Sequence, residues 1–135
     1  MRYLLDTNVC TRHLNQRSPE ITQRLSNTSE YDIAVCSVVK AELYYGALRS
    51  QQPARTLERQ QFFLDRFVSL PFDDLCIMTY ASVRATLASS GQLIGPNDLM
   101  IAAIALTHDL TLVTLNTREF TRIVDLKLED WERNA

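Results

Sequence analysis

The chain has 135 residues, 46% of them hydrophobic and 22% charged, with a formal net charge of −2. This is the make-up of an ordinary globular protein with enough apolar mass for a core, and residues 1–135 are read as a single domain. The charge excludes a global basic field of the kind that advertises nucleic acid, although acids gathered in one site can mask a basic rim. Cys10, Cys36 and Cys76 are odd in number, lack CxxC spacing and lie inside apolar patterns, so they read as reduced core thiols of a cytoplasmic protein. His13 and His108 share no metal-ligand spacing, which speaks against zinc. The longest apolar run, residues 99–106, is far too short for a membrane span, and the opening MRYLLD lacks signal-peptide anatomy.

In chain order, residues 2–5 predict a short buried strand that runs straight into Asp6. Thr7 or Asn8 is then expected to cap a helix carrying Val9, His13 and Leu14 on one side. Ser18-Pro19-Glu20 has the make-up of a helix start, with a capping serine, proline at the first position and an acid near the positive dipole end. The apolar run 32–36 predicts a strand covered on both faces. Ser37 is expected to cap a helix through Leu48, and an amphipathic helix follows Pro53 with Leu57, Phe63, Leu64 and Phe67 on its apolar side. Residues 68–72 predict a third strand, placed at an edge by Pro71. Helices are expected over 75–88, closed by Gly91, and from Pro96 to Leu106. Residues 112–115 form a fourth strand, and a last extended piece places Leu126 and Leu128 in alternation with Lys127 and Glu129. Strands alternating with helices give an α/β fold with a mainly parallel sheet.

Such sheets bind ligands at the carboxyl ends of their strands, and acids fall at matching places. Asp6 follows the first strand, Glu42 lies in the helix after the second, and Asp98 sits in the first turn of the Pro96 helix. Asn116 follows the fourth strand, with Glu119 close behind. Glu42 has Val38, Val39, Tyr45 and Gly46 as its helical neighbours, and Asp98 has Ile101, Ala102 and Ala105; both acids therefore point toward the body of the protein. Each alone has an ordinary reading: Asp6 as a helix cap, Asp98 as a first-turn acid, Glu42 paired with Lys40 or Arg49. Together, three acids and a polar fourth position at one sheet mouth would repel without a cation. An oxygen-only set favours Mg²⁺ or Mn²⁺, whose acidic sites mostly serve phosphate-ester chemistry.

Four blocks carry a resemblance: LLDTN at 4–8, VVKAELYYG at 38–46, IGPNDLMIAAIAL at 94–106 and LVTLNTREF at 112–120. In order and spacing they resemble the motif blocks of PIN-domain ribonucleases, and within these the VapC toxins of toxin–antitoxin pairs. The resemblance implies a three-layer α/β/α PIN-like domain, a homodimer, and Mg²⁺-dependent endonucleolytic cleavage of transfer RNA or another structured RNA. It also implies a small VapB-like antitoxin lying across the site. By position, Asp6, Glu42 and Asp98 correspond to the family's catalytic, metal-holding carboxylates. Thr114 corresponds to the hydroxyl supporting Asp6, and Asn8 to a brace for the loop after the first strand. Many relatives carry Asp where this chain has Asn116, which leaves Asn116 or Glu119 to fill the fourth position. Arg12, Lys40, Arg49 and Arg118 are the basic residues expected to position RNA.

Rival readings have their own requirements. A haloacid-dehalogenase-like phosphatase would need Asp at position 8, and a receiver domain an acidic pair after its first strand and a lysine after its last. A catalytically dead PIN fold used for protein binding draws support from Asn116 and is opposed by the intact three acids. A PIN nuclease that matures RNA without being a toxin shares all the motifs.

Overall fold

In the computed structural model, which describes residues 1–133, five strands and seven α-helices alternate along the chain. Strand β1 (Tyr3–Leu5) leads into helices α1 (Thr7–Leu14) and α2 (Pro19–Ser26), and β2 (Ile33–Cys36) into α3 (Ser37–Leu48) and α4 (Pro53–Leu64). Strand β3 (Val68–Leu70) precedes α5 (Asp74–Ser89) and α6 (Pro96–Thr107). Strand β4 (Thr111–Val113), the short α7 (Thr117–Phe120) and β5 (Leu128–Glu129) complete the order. The strands lie in the order β3-β2-β1-β4-β5, and every pairing is parallel. Every residue of β1 and β2 is buried, so both faces of the central sheet are covered by helices.

The chain starts at β1, winds outward to β2 and β3, then returns to lay β4 on the other side of β1. The winding direction reverses between β1 and β4, and at such a reversal the loops leaving the two strands part to make a crevice. Tyr3, Leu4 and Leu5 pair with Thr111, Leu112 and Val113. Asp6 and Thr114, the next residue of each strand, therefore emerge side by side.

Local chemistry explains where the boundaries depart from expectation. Helix α1 is capped by Asp6, whose carboxylate accepts the Thr7 N–H, and Thr7 and Asn8 are already helical. Helix α3 begins at Ser37 itself, after Cys36, which contributes no side-chain cap. Strand β3 is the expected edge strand but stops at Leu70, since Pro71 has no N–H to continue the ladder. Strand β4 ends at Val113 because the Leu115 N–H turns to the Asn8 side chain. The Ser18-Pro19 start of α2 is formed as expected, with the Ser18 hydroxyl accepting from Ile21 N. Gly91 follows the end of α5 with φ +69, in the left-handed region that glycine enters without steric cost.

The core runs through Leu4, Leu5, Ile33, Leu64, Leu112 and the uninterrupted buried stretch 101–105 of α6. Cys10, Cys36 and Cys76 are free and buried in it. Burial pushes the Cys36 thiol up to about 11, which keeps it protonated and unreactive. Among the described residues, no helix is long and apolar enough to cross a membrane.

Trp131 closes the far edge of the sheet. It is fully buried, meets Tyr3 edge-on at 5.3 Å, and donates its indole N–H to Glu129 at 3.0 Å. The Arg24 guanidinium covers its ring at 4.9 Å and pairs with the same Glu129 at 3.0 Å. We expect Trp131→Ala to lower unfolding stability by about 3–5 kcal/mol in urea titrations, the usual cost of emptying a buried aromatic site. A loss below ~1 kcal/mol would mean that residues after β5 only lie against the fold.

Candidate active site

Asp6 is 4% exposed, and its two carboxylate oxygens have different partners. Oδ1 accepts the Thr7 N–H at 2.8 Å, and Oδ2 accepts the Thr114 hydroxyl at 2.7 Å. Thr114 is itself fully buried, and its oxygen accepts the Asn116 N–H at 3.0 Å. The Thr114 proton is thereby committed to Asp6. Burial raises the Asp6 carboxyl above its ordinary range, the two hydrogen bonds oppose that rise, and the charge of Glu42 adds to it. Asp6 is thus both the cap of α1 and an acid fixed at the mouth of the sheet.

Glu42 points from α3 toward the same mouth. Its Oε1 accepts the Thr7 hydroxyl at 2.6 Å, the short distance of a charge-assisted bond. Neither Lys40 nor Arg49 neutralises it. Lys40 is two residues away on the helix and faces elsewhere, and Arg49 stacks on the Tyr45 ring at 5.3 Å. Thr7 was legible in the sequence only as a possible cap. Its position directly behind a strand-end acid was the available signal for its second role.

Asp98 is half-buried at the start of α6, and among the described residues no donor meets its carboxylate. Its pKa is pushed up to about 6, first by burial and then by the charges of Asp6, Glu42 and Glu119. Asp98 thus feels the charges of three acids from three other elements. Asn116 adds the last link: its side-chain N–H donates to Glu119 Oε2 at 3.0 Å. Asn116 therefore orients Glu119. Asn8, just after β1, accepts the Leu115 N–H at 3.3 Å and so ties its segment to the one after β4.

The donors are all oxygens, as a hard cation requires. Among the described residues, however, no three His, Cys, Asp or Glu side chains stand close enough to enclose a metal as they are. The hydrogen bonds account for this, because Asp6, Glu42 and Glu119 are each turned toward a neutral donor instead of a common centre. To meet a cation, Glu42 and Glu119 would have to turn from these donors, with Asp6 held by its own.

The candidate RNA contacts divide. Arg12 is occupied by Glu132 at 2.9 Å and by the Arg17 carbonyl, and Arg49 by Tyr45. Arg118 is exposed on α7 beside Glu119, and Lys40 is half-buried on α3; among the described residues neither is ion-paired.

The PIN domain family pattern matches residues 3–126. The chain belongs to the PIN-domain family, among its VapC ribonucleases. It is 37% identical over 134 residues to Ribonuclease VapC2 of Rickettsia felis, covering 98% of this chain and all of that one. It is also 37% identical to the tRNA(fMet)-specific endonuclease VapC of Shigella flexneri, over 97% of this chain and 98% of the relative. The solved DNA-bound VapBC of Salmonella typhimurium superposes with a TM-score of 0.92 at 34% identity, over 97% and 98% of the two chains. The expected α/β fold with helices flanking a parallel sheet is therefore the PIN fold, and the sheet is wholly parallel.

The acid cluster carries a pH signature. Asp98 ionises near 3.8 when unfolded and near 6 in the fold. Below both values it is protonated in either state and has no effect. Between them the unfolded chain has lost the proton that the fold retains, so stability falls as pH rises and stays lower above 6. In EDTA, Asp98→Asn should raise the melting temperature by a few degrees at pH 8 and leave it unchanged near pH 3. Equal shifts at both pH values would show that the acids do not interact.

Proposed function

We propose that this chain is a Mg²⁺- or Mn²⁺-dependent endoribonuclease, the toxin of a toxin–antitoxin pair, cutting transfer RNA or another structured RNA in the cytoplasm. The observation that carries the reading is the hydrogen-bonded frame where β1 and β4 part, in which Thr7 links Asp6 to Glu42 and Thr114 links Asp6 to Asn116 and Glu119, with Asp98 near enough to feel their charges. Asp6, Asp98 and Glu42 would hold the cation. When bound, the cation would polarise the scissile phosphate and lower the pKa of a nearby water.

The chain's own groups have separable tasks. Thr114 and the start of α1 fix Asp6, so this acid needs no rearrangement at the moment of reaction. Glu42, freed from Thr7, can orient the attacking water or take its proton on Oε1. Asn116 is a neutral amide that cannot act as a base, but it holds Glu119 in place. In-line attack leaves 5′-phosphate and 3′-hydroxyl ends. Arg118, exposed beside Glu119, would meet phosphate at the rim, while Lys40 lies on another face of α3 from Glu42.

The proposed partner is a VapB-like antitoxin that covers the site, and the reading includes a homodimer. Two aromatic side chains on α3 and α4 are open to a second copy, since Tyr45 and Phe62 are 62% and 81% exposed, while Phe63 is in the core and Tyr44 half-buried. Light scattering that shows only monomer at micromolar concentration would remove the homodimer from the proposal.

Inducible expression followed by mapping of new RNA 5′ ends tests the reading directly. We expect cuts in one RNA class, lost in Asp6→Asn and Asp98→Asn while both variants stay folded. Full cleavage by either pure variant would end the metal-nuclease reading. Glu119→Gln is expected to slow cleavage more than Asn116→Ala. Asn116→Asp should lower metal-free stability, because a second carboxylate then faces Glu119, and recover it with Mg²⁺. Wild-type rate and metal dependence in Glu119→Gln would show that three acids suffice.

A further inference from the structure

Among the described residues, five of the fourteen arginines and lysines are matched by an acid. Arg12 pairs with Glu132, Arg24 with Glu129, Arg66 with Glu30, Lys127 with Asp109, and Arg133 with Asp130. Of the others, Arg17, Arg55 and Arg59 stand together. They line one shallow concavity of about 630 Å³ with Leu14, Asn15 and Gln16, and no acid lines it with them. All three are exposed, and among the described residues none is in an ion pair. Arg55 and Arg59 are one turn apart on α4, so their guanidinium groups leave the same face. Arg59 is tied to the end of α1 by a hydrogen bond to the Leu14 carbonyl. The adjoining hollow contains one acid, Glu58, on the side of Phe62 and Arg66.

This basic hollow is continuous with the site. A groove of about 340 Å³ starts at Thr7 and Glu42, passes Thr11 and Gly46, and ends at Asn15 and Arg59, two of the residues that line the hollow. Gly46 lies one turn beyond Glu42 on the same face of α3. A Cβ there would meet nothing within 4 Å, so packing does not require glycine at this position. In mid-helix glycine costs up to ~1 kcal/mol relative to alanine, and here it leaves the groove open.

An acidic mouth repels a polyanion, so an RNA that reaches it needs compensating positive charge near by. We propose that the ribose-phosphate backbone flanking the scissile bond runs from the acids along the α1–α3–α4 groove, and that Arg17, Arg55 and Arg59 hold its phosphates. These arginines position the strand and do not touch the reacting atoms. The inference rests on the nuclease reading only for naming the anion as RNA.

The test measures binding of single-stranded poly(U) to the full chain in EDTA, by fluorescence anisotropy across a salt series, alongside cleavage of cellular RNA in Mg²⁺. The variants are Arg17→Gln/Arg55→Gln, which alters two exposed side chains, and Gly46→Leu, which fills the groove. The double variant should bind severalfold more weakly, with the slope of log affinity against log salt shallower by about 1.4, from ~0.7 per lost phosphate contact. In cleavage, KM should rise with kcat nearly unchanged. Gly46→Leu should weaken binding with no loss of melting temperature. Unchanged poly(U) affinity and slope in the double variant would overturn the proposal, as would Gly46→Leu binding like wild type. Loss of poly-L-glutamate binding with poly(U) unaffected would also overturn it, assigning the hollow to an acidic protein. A wild type that binds poly(U) through these arginines and never cuts RNA would remove the nuclease reading and leave the arginine-lined path for a ribose-phosphate backbone standing.

Discussion

The pairing of β1 with β4 is the constraint on which the site depends. It places Asp6 and Thr114 next to each other at the carboxyl edge of the sheet, where their side chains meet at 2.7 Å with both residues buried. Asp6 also caps α1, so the direction of that helix and the position of the acid are set by one carboxylate. The cap places Thr7 where its hydroxyl can reach Glu42, and Thr114 in turn receives the Asn116 N–H that leads to α7 and Glu119. Removing Thr114 would leave a buried carboxylate short of one donor, at a cost of about 1–3 kcal/mol, and would unseat both sides of the mouth.

The acids are arranged in two tiers. Asp6 is rigid, with a partner for each oxygen. Glu42 and Glu119 each lean on a single neutral donor, and Asp98 on none. Such a site is strained by like charge yet keeps its shape, because the sheet and helices beneath it are packed with fully buried residues from Leu4 to the middle of α6. Neutral hydroxyl and amide partners suit this role. A lysine or arginine in their place would neutralise the mouth and remove its attraction for a cation.

Much of this was legible from sequence. Continuous apolar runs at 32–36 and near 112 had to be covered strands, and acids directly behind such strands had few ways to be satisfied. The departures have local causes. Asp6, not Thr7 or Asn8, capped the first helix, because a strand-end carboxylate was already in reach of the next N–H. The fourth strand stopped early because a side chain took the Leu115 N–H. The Thr7–Glu42 and Asn116–Glu119 bonds were out of reach of pattern reading, since a hydroxyl or amide has no period and its partner is fixed only by the fold. The basic residues were hardest to read. Arg12 looked free in the sequence because its partner Glu132 lies 120 positions away.

That separation of partners along the chain has an outcome in time. The Asp6 carboxylate gains its buried donor from a residue 108 positions later. The strand that brings Thr114 lies beside β1 on the side away from β2 and β3, with two whole strands and six α-helices between it and β1 in the chain. A growing chain that has displayed Asp6, Glu42 and Asp98 still lacks the wall that seats the first of them. The first acid is seated only once residues 111–113 have joined β1 in the sheet, however early the other acids are in place.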